Sequence, residues 1–155
     1  MNKDFFEKSS GFFNKLGSSK LMVLATSNDD KVTARMMSCV IIENAIYFQT
    51  DKTSEKFMQM TANPNVALCT DNIQIEGTAA PLGHTLSSEC KFFAQAYKKH
   101  HKGSFKRYSS MPNTTVIKIV PTKITLWEYE DFGKKVYRLI IDMENQTAEK
   151  EYYIT

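Results

Sequence analysis

Hydrophobic positions along this chain follow two different periods. From Phe5 to Leu16, apolar residues recur at three- and four-residue spacing, and Gly17 follows them. This spacing predicts an amphipathic N-terminal helix that ends at the glycine. Beyond Leu21, short apolar or alternating runs are separated by turn sequences rich in Asp, Asn and Ser. That second pattern is typical of strands joined by tight turns.

The first half of the chain predicts five strands and one helix. Ser27 to Asp30 and Glu43-Asn44 read as turns, so the segment 21–42 is expected to form a hairpin. A helix is predicted from about Thr53, its N-cap, to Ala62, because the residue before Pro64 avoids helical geometry. The strands of this half are predicted at 21–26, 32–42, 45–50, 66–70 and 73–81.

In the second half, Ser87 and Ser88 are candidate caps for a helix that runs to about Lys102. The segment 103–113 is predicted to be irregular. Pro121 is expected to break the following apolar run into two strands, since proline cannot donate to a sheet ladder. These strands and a last hairpin are predicted at 114–120, 122–129, 135–142 and 148–154.

Strands outnumber helices, and most successive strands are joined by short turns. This order favours a mostly β (α+β) chain: an antiparallel barrel whose openings are covered by helices, not a doubly wound parallel sheet. At 155 residues the chain is expected to form one domain. Its glycines match neither the Rossmann nor the P-loop spacing, so neither of those phosphate sites is supported.

Composition narrows the function classes. The chain is 42% hydrophobic and 24% charged, with a net charge of +3, which is too small to indicate nucleic acid or an anionic membrane. No apolar run is long enough to span a bilayer, and the first residues do not resemble a secretory signal. Three widely spaced cysteines favour a reducing cytoplasm, and zinc-site spacings are absent, so no metal is expected.

Three features between Val32 and Leu68 predict an anion site. Arg35 shares a strand face with apolar residues, and an unpaired charge there is costly to bury. Thr53 and Ser54 open a helix whose free N–H groups favour an anion. Lys56 lies in the first helical turn, where the helix dipole penalises a cation unless a ligand reverses the sign. The alternative for Arg35 is an ion pair with Glu76.

These segments resemble the pyridoxamine 5′-phosphate oxidase-like, FMN-binding split β-barrel family. The resemblance covers most of the chain from Ser19 to about Tyr129, and its motifs are TARMMS, IYFQTDKTSEK, ANPNVAL and IQIEGTA. It implies FMN held between two subunits of a homodimer with two equivalent sites. Glu55 stands where the family usually has an arginine, which removes one positive charge from the phosphate site.

The resemblance also implies which residues meet the flavin. Arg35, Ser54 and Lys56 match phosphate-binding positions. Backbone groups near residues 36–38 and 49–50 flank the ring, and Trp127 approaches it from the partner chain. Asn72 matches the polar position before the fifth strand, with Gln74 as its rival. The full predicted set is Arg35, Met36, Met37, Ser38, Gln49, Thr50, Ser54, Lys56, Asn72 and Trp127.

Other interpretations of these residues are plainer. For Trp127 the favoured interpretation is packing in the barrel or the dimer interface, and Thr50 is equally a candidate for an ordinary strand position. Lone cysteines in strands, Cys39 and Cys69, are expected to be buried. Four methionines are expected to fill the core: Met36, Met37, Met58 and Met60.

The predicted function is that of a cytoplasmic FMN-dependent oxidoreductase acting on a small-molecule redox substrate. The substrate is unassigned, because the C-terminal segment with which the true oxidases hold pyridoxamine phosphate is replaced by a plain hairpin. No acid–base or nucleophilic set stands out, so the catalytic residues are unknown. The alternatives are a haem protein using His84, His100 or His101, a deazaflavin protein, and a non-enzymatic RNA- or partner-binding module using 98–107.

Overall fold

The computed structural model describes residues 3–154, which form eight strands and four α-helices. The helices are α1 (Lys3–Leu16), α2 (Glu55–Ala62), α3 (Lys91–His100) and α4 (Lys102–Tyr108), with a short 3₁₀ turn at Ser88–Cys90 before α3. The strands are β1 (Ser19–Asn28), β2 (Lys31–Ile42), β3 (Ala45–Asp51), β4 (Asn65–Thr70), β5 (Ile73–Gly83), β6 (Thr114–Glu130), β7 (Lys135–Asp142) and β8 (Thr147–Tyr152).

Six of the strands close into an antiparallel barrel. Their order is β3-β2-β1-β4-β5-β6, and pairing of β3 with β6 closes the circle. Strands β7 and β8 extend the sheet beyond β6. The predicted antiparallel barrel with flanking helices is therefore confirmed. Among residues 3–154, no helix is both long and apolar enough to cross a membrane.

The barrel interior is filled by side chains from every strand and closed at one end by α1. Fully buried examples are Met22, Leu24, Phe48 and Ile75, which belong to one cluster with Phe12 of α1. The predicted N-terminal helix and its stop are confirmed, since Gly17 takes a left-handed φ of 82° and its N–H bonds to Phe13 O. Glycine adopts this conformation without steric cost.

A second cluster lies outside the barrel. Helix α3 packs Phe93 and Tyr97 against Tyr47, Val116 and Val40 on the outer side of β2, β3 and β6. Both faces of β3 are therefore buried. This helix packing positions the segment after α3 beside β3, where the candidate site lies.

Three predictions about elements were wrong. The segment 103–113 is not wholly irregular, because α4 occupies Lys102–Tyr108. Pro121 does not end a strand: β6 runs through it, and the register with β5 shifts beside Gly77. A Cβ on Gly77 would lie 2.7 Å from Val120 O, so the close approach of the two strands requires glycine there. The predicted cap Thr53 instead bonds to the Asp51 carboxylate, and Ser54 caps α2.

Some expected core residues lie on the surface. Met36 and Met58 are each 62% exposed, and Cys69 is exposed, whereas Met60 and Cys39 are buried as predicted. Met36 and Cys69 sit on the outer side of their strands, and no helix covers that part of the sheet in residues 3–154. The sequence did not distinguish the inner from the outer face of these strands, because both faces carry apolar residues.

Candidate functional site

The barrel wall opens between β2 and β3. These strands pair only where Val40–Ile42 meets Ala45–Tyr47, next to their tight turn. Farther from the turn, β2 pairs with β1 and β3 pairs with β6, so residues 34–39 and 48–51 face each other without a shared ladder. We call this gap the split.

Hydrogen-bond parity decides which main-chain groups of β2 face the split. In an antiparallel pair, alternate residues direct both N–H and C=O to the same neighbour. The Ile41 N–H donates to Ser18 O at 2.8 Å, which assigns the odd-numbered residues of β2 to the β1 side. Met36 and Ser38 therefore direct their main-chain groups toward β3. The main chain of Met37 belongs to the ladder with β1.

The same reasoning applies to β3. The Lys52 N–H donates to Asn113 O at 2.9 Å, which assigns even-numbered residues to the β6 side. The main chain of Gln49 thus faces the split, and that of Thr50 does not. Of the predicted residues, Met36, Ser38 and Gln49 offer backbone groups to this gap, whereas Met37 and Thr50 offer side chains.

Arg35 points along the inner side of β2 toward α2. Its guanidinium donates to Thr26 Oγ1 at 2.7 Å and to Thr33 Oγ1, with a longer contact of 3.4 Å to Leu24 O. Gln59 of α2 accepts from both threonines through Oε1, at 2.5 and 2.7 Å. This network fixes the guanidinium with neutral partners and leaves its charge uncompensated at hydrogen-bond distance.

The ion pair considered as an alternative for Arg35 does not form. Within residues 3–154, none of the salt bridges includes Arg35, Lys56 or Glu76. Burial lowers the pKa of Arg35, and the more distant charge of Glu55 partly offsets this effect. The arginine therefore stands near the split as a cation without a carboxylate partner.

Lys56 lies close enough to Arg35 for the two cations to interact. Burial and then the charge of Arg35 lower the pKa of Lys56, while Asp51 raises it. Lys56 is half-buried in the first turn of α2, directly after the Ser54 cap. The Ser54 hydroxyl donates to Asp51 O at 2.7 Å and lies 3.3 Å from Thr50 Oγ1. Two cations, two hydroxyls and a helix N-terminus thus meet at one end of the split.

The nearby carboxylates have other partners. Asp51 accepts from the N–H and hydroxyl of Thr53, and these two hydrogen bonds lower the pKa of Asp51. Glu55 forms a salt bridge of 2.8 Å with Lys31, whose hydrogen bond is the main cause that lowers the pKa of Glu55. The charge of Glu55 is therefore compensated by Lys31.

A pocket of about 280 Å³ adjoins these groups. Met37, Thr50 and Lys56 line it, together with Gln49 from β3 and Tyr108 from the end of α4. Arg35 is not among its lining residues. This pocket and the split together form the candidate site, which we call the split pocket.

Gln49 is held in one orientation beneath α4. Its side chain is only 8% exposed, and Oε1 accepts from Thr85 at 2.8 Å and Ser109 at 2.9 Å. Among residues 3–154, Nε2 has no partner within hydrogen-bond distance. The Tyr97 hydroxyl lies near this side chain, since hydrogen bonding to Gln49 counteracts the rise in the pKa of Tyr97 that burial causes. The buried amide therefore does not by itself require a ligand.

Two predicted site residues lie elsewhere on the same chain. Asn72 occupies the β4–β5 turn and donates through Nδ2 to Trp127 O at 2.7 Å. The indole of Trp127 donates to the Tyr153 hydroxyl at 2.9 Å. Thr115, which pairs with Thr50, lies twelve residues from Trp127 along β6. One chain therefore brings together eight of the ten predicted residues and leaves this pair at the opposite end of β6.

Two of the three histidines, His84 and His101, have structural partners. His84 bonds to Met111 O through Nε2 at 2.8 Å and accepts from the Leu86 N–H through Nδ1, so both ring nitrogens are engaged. His101 bonds to Cys39 O at 2.8 Å, beside the point where β2 and β3 diverge. These contacts hold the loop after β5 and the α3–α4 junction in place.

Comparison with known proteins identifies the family. The family model described as pyridoxamine 5′-phosphate oxidase matches residues 11–128 of the chain. The chain belongs to the pyridoxamine 5′-phosphate oxidase family. This confirms the predicted resemblance. No match was found among curated proteins.

Solved structures share the barrel of the pyridoxamine 5′-phosphate oxidase family. General Stress Protein 26 of Bacillus anthracis is 26% identical, with a TM-score of 0.56 over 76% of this chain and 89% of that one. A pyridoxamine 5′-phosphate oxidase-related, FMN-binding protein of Nostoc punctiforme is 14% identical, with a TM-score of 0.58 over 98% and 94%. A FAD-binding protein of Mesorhizobium loti is 13% identical, with a TM-score of 0.55 over 68% and 83%.

Sequence reasoning missed three residues at or behind the split pocket of this family member. Gln59 was not singled out, although it holds the threonines that hold Arg35. Tyr108 and Met111 line the pocket from a segment predicted to be irregular. The helical spacing of Phe105 and Tyr108 was the available signal, but the glycine at 103 obscured it.

Proposed function

We propose that this chain is an oxidoreductase that binds FMN in the split, between two identical copies. The observation that carries the proposal is the pair of cations, Arg35 and Lys56, next to each other without carboxylate partners at the start of α2. Their mutual repulsion and the helix dipole both disfavour the arrangement unless an anion lies between them. A phosphate monoester supplies that anion.

The phosphate of FMN suits this end of the site better than a neutral ligand does. The helix N-terminus offers N–H groups, Ser54 and Thr50 offer hydroxyls, and the two cations balance a dianion. FMN carries a terminal phosphate monoester, whereas the two phosphates of FAD form an internal pyrophosphate bridge. The Nostoc relative is described as FMN-binding and the Mesorhizobium relative as FAD-binding, so both support a flavin.

The split offers hydrogen bonds for the edge of the flavin ring. Main-chain groups of Met36, Ser38 and Gln49 face the gap, and the pyrimidine part of isoalloxazine carries matching N–H and C=O groups. The Gln49 side chain also lines the pocket beside these groups. When bound, FMN would supply hydride or electron transfer, and these residues would bind and orient it.

A second copy is proposed because one chain leaves Asn72 and Trp127 far along β6 from the cations. The outer side of β1, β2 and β4 provides a contact surface for that copy. Three exposed apolar side chains mark it, Leu21 at 55%, Val32 at 69% and Met36 at 62%. The register places smaller residues between them on the same face: Val23, Ala25, Ala34, Ala67 and Cys69. A continuous apolar sheet face of this kind is typical of an interface.

Haem is the less favoured cofactor. An axial ligand needs a free imidazole nitrogen. Both nitrogens of His84 are engaged, as is Nε2 of His101, which leaves His100, exposed at the end of α3, as the remaining candidate ligand. A deazaflavin would use the same phosphate site, and it is distinguished by its shorter-wavelength absorption. The visible spectrum of the purified protein, followed by mass spectrometry of the released ligand, separates these three cofactors.

The phosphate role is tested with Arg35→Ala. We expect FMN binding to weaken by at least about tenfold, or about 1.4 kcal/mol, because a charge-assisted bond is lost. Riboflavin lacks the phosphate, so its affinity should change little. Isothermal titration with both ligands measures the difference. Lys135→Ala, which removes a cation paired with Asp131 near β7, is the control. Equal losses for FMN and riboflavin would contradict the phosphate role.

The dimer is tested with Leu21→Asp, which places a charge on the apolar outer face. We expect sedimentation to show a monomer and FMN titration to show loss of binding, because both flavin sites need two copies. Phe6→Asp is the control, since Phe6 is also half exposed but lies on α1. A wild-type chain that is monomeric and still binds FMN would overturn the dimeric site.

The oxidoreductase role is tested on the FMN-loaded protein. Anaerobic mixing with NADH or NADPH should bleach the flavin absorption, and admission of air should restore it. If neither NADH nor NADPH reduces the flavin, the oxidoreductase role with these donors is contradicted, but FMN binding is not.

A further inference from the structure

The charged residues of this chain are unevenly distributed along the sequence. Residues 90–127 contain eight lysines or arginines and no aspartate or glutamate. The other residues hold the remaining 12 lysines and arginines and all 17 carboxylates, so the formal charge is +8 in this segment and −5 outside it. The net charge of +3 for the whole chain therefore conceals one strongly basic region.

Five of these cations lie where α3 meets α4. Helix α3 ends at His100 and α4 begins at Lys102, so the two helices join directly at a corner. The Lys98 ammonium of α3 lies over the Phe105 ring of α4, 5.8 Å from the ring centroid, and this contact links the two helices. All five cationic side chains are exposed, and we call the surface that they form the basic corner: Lys98, Lys99, Lys102, Lys106 and Arg107.

The basic corner has no carboxylate partner in the part of the chain that the structure describes. None of the salt bridges there includes a residue of 90–127. The Glu89 carboxylate lies at the other end of α3, where a Cβ on Gly83 would be 3.7 Å from its Oε2. The dipole of α3 favours cations in its last turn, but Lys102 opens α4, where a cation is disfavoured. Helix termini therefore account for only part of the cluster.

The basic corner adjoins the split pocket. The Arg107 guanidinium lies 6.0 Å from the centroid of the Tyr108 ring, and Tyr108 lines the split pocket together with Lys56. The corner is also fixed to the barrel, because His101 bonds to Cys39 O of β2 at 2.8 Å. A protein that docks on the basic corner would therefore lie next to the split pocket.

The composition of the basic corner favours a short-lived protein partner over a nucleic acid. Four of its five cations are lysines, which are strongly hydrated point charges and are depleted at the centres of stable interfaces. The charge of −5 outside the segment would repel a long polyanion that extends past the corner. Complementary charge mainly speeds the encounter of two proteins, and weak redox complexes have small interfaces of this kind.

We propose that the basic corner docks an acidic electron-carrier protein that exchanges electrons with the split pocket. The choice of an electron carrier rests on the proposed function, because the corner borders the site proposed to hold FMN. In this exchange two carrier molecules each lose one electron, and the two electrons, with protons taken up from water, reduce one flavin. The basic corner would orient the carrier at the split pocket.

Docking is tested on the full-length chain without FMN, with an acidic iron–sulfur ferredoxin as the probe. Isothermal titration at low salt should show binding, and physiological salt should weaken it by at least about tenfold, because salt screens exposed charges. The triple variant Lys99→Gln, Lys102→Gln and Lys106→Gln should also weaken it by at least about tenfold.

The matched control removes three exposed lysines from other parts of the chain: Lys3→Gln, Lys15→Gln and Lys134→Gln. The two triple variants have the same net charge, so only the position of the lost cations differs. We expect the control to bind the ferredoxin within about twofold of wild type. No binding by wild type at low salt, or equal losses in the two variants, would overturn the docking surface.

The class of partner is tested with a single-stranded thymidine oligonucleotide on the same three chains. We expect it to bind wild type more weakly than the ferredoxin does at physiological salt, because the acidic remainder of the chain repels a long polyanion. Tighter binding of the oligonucleotide than of the ferredoxin, lost in the basic-corner variant, would overturn the protein partner in favour of a nucleic acid.

The link to the flavin has its own readout. Reduced ferredoxin should bleach the flavin absorption of the FMN-loaded chain, and the basic-corner variant should slow this at least about tenfold without a change in FMN affinity. If FMN never binds while ferredoxin binding still depends on the corner, the proposed function fails and the docking surface remains. If FMN binds and both triple variants are bleached equally fast, the electron-carrier assignment is overturned.

Discussion

Lys56 is expected to stabilise the FMN complex and destabilise the chain without ligand. Without FMN its ammonium is half-buried, lies near Arg35 and occupies the first turn of α2. The helix dipole penalises a cation there by roughly 0.3–1 kcal/mol, and solvent around a half-exposed group screens this toward the lower end. Arg35 adds repulsion of the same sign. Lys56→Gln should therefore stabilise the ligand-free chain by about 0.5 kcal/mol.

The same substitution should weaken FMN binding. The phosphate loses one of its two cations, so we expect a loss of about tenfold for FMN and little change for riboflavin. For Lys56→Gln, urea unfolding of the ligand-free chain should show a gain in stability, whereas titration should show a loss of FMN affinity. Lys52→Gln is the control, because Lys52 is exposed in the preceding turn. Destabilisation of the ligand-free Lys56→Gln chain would refute the reasoning about the uncompensated cation.

The pH dependence follows from the lowered pKa of Lys56. Because the folded chain binds this proton less tightly than the unfolded chain, stability rises as pH increases from the lowered pKa toward the ordinary value near 10.4. Below the lowered pKa, Lys56 is protonated in both the folded and the unfolded chain, and its full cost to folding stability is present. Lys56→Gln should remove this contribution to the increase of folding stability at alkaline pH. Unfolding curves at a series of pH values measure the difference.

Three further predictions concern the fold. Gly77→Ala should destabilise the chain by about 2–3 kcal/mol in urea unfolding, because its Cβ would lie 2.7 Å from a strand carbonyl, whereas Gly103→Ala, with open space around it, should not destabilise it. Ser54→Ala should lower the free energy of unfolding by about 1 kcal/mol, because the α2 cap is lost, and Thr53→Ala should lower it by less. A larger loss for Thr53→Ala would indicate that Thr53 is the cap after all. In the Leu21→Asp variant, which is expected to be monomeric, Cys69 should be the one thiol that reacts with Ellman's reagent in the folded chain, because Cys39 and Cys90 are buried.

Local patterns predicted much of the architecture. The hairpin turns at Glu43-Asn44 and Asp71-Asn72, the helix stop before Pro64 and the glycine after α1 all lie where expected, since each depends on a few neighbouring residues. The barrel class followed from the number of strands and their short connections. Pro121 was misread because its tolerance depends on the bulge beside it in β6, where Thr122 is the extra residue opposite Glu76 and Gly77 of β5, and this pairing is a long-range feature.

The sequence by itself determined the strand-rich antiparallel class, the family motifs and the concentration of phosphate-compatible residues around Arg35 and Lys56. Tertiary structure decided which groups those residues meet. It placed Gln59 behind Arg35, brought Tyr108 to the split pocket, and separated Asn72 and Trp127 from the cations along β6. Turns and caps are determined by interactions between residues close in sequence. The contacts of Gln59, Tyr108 and Asn72 arise only when barrel closure brings distant segments together, so no local sequence pattern predicts them.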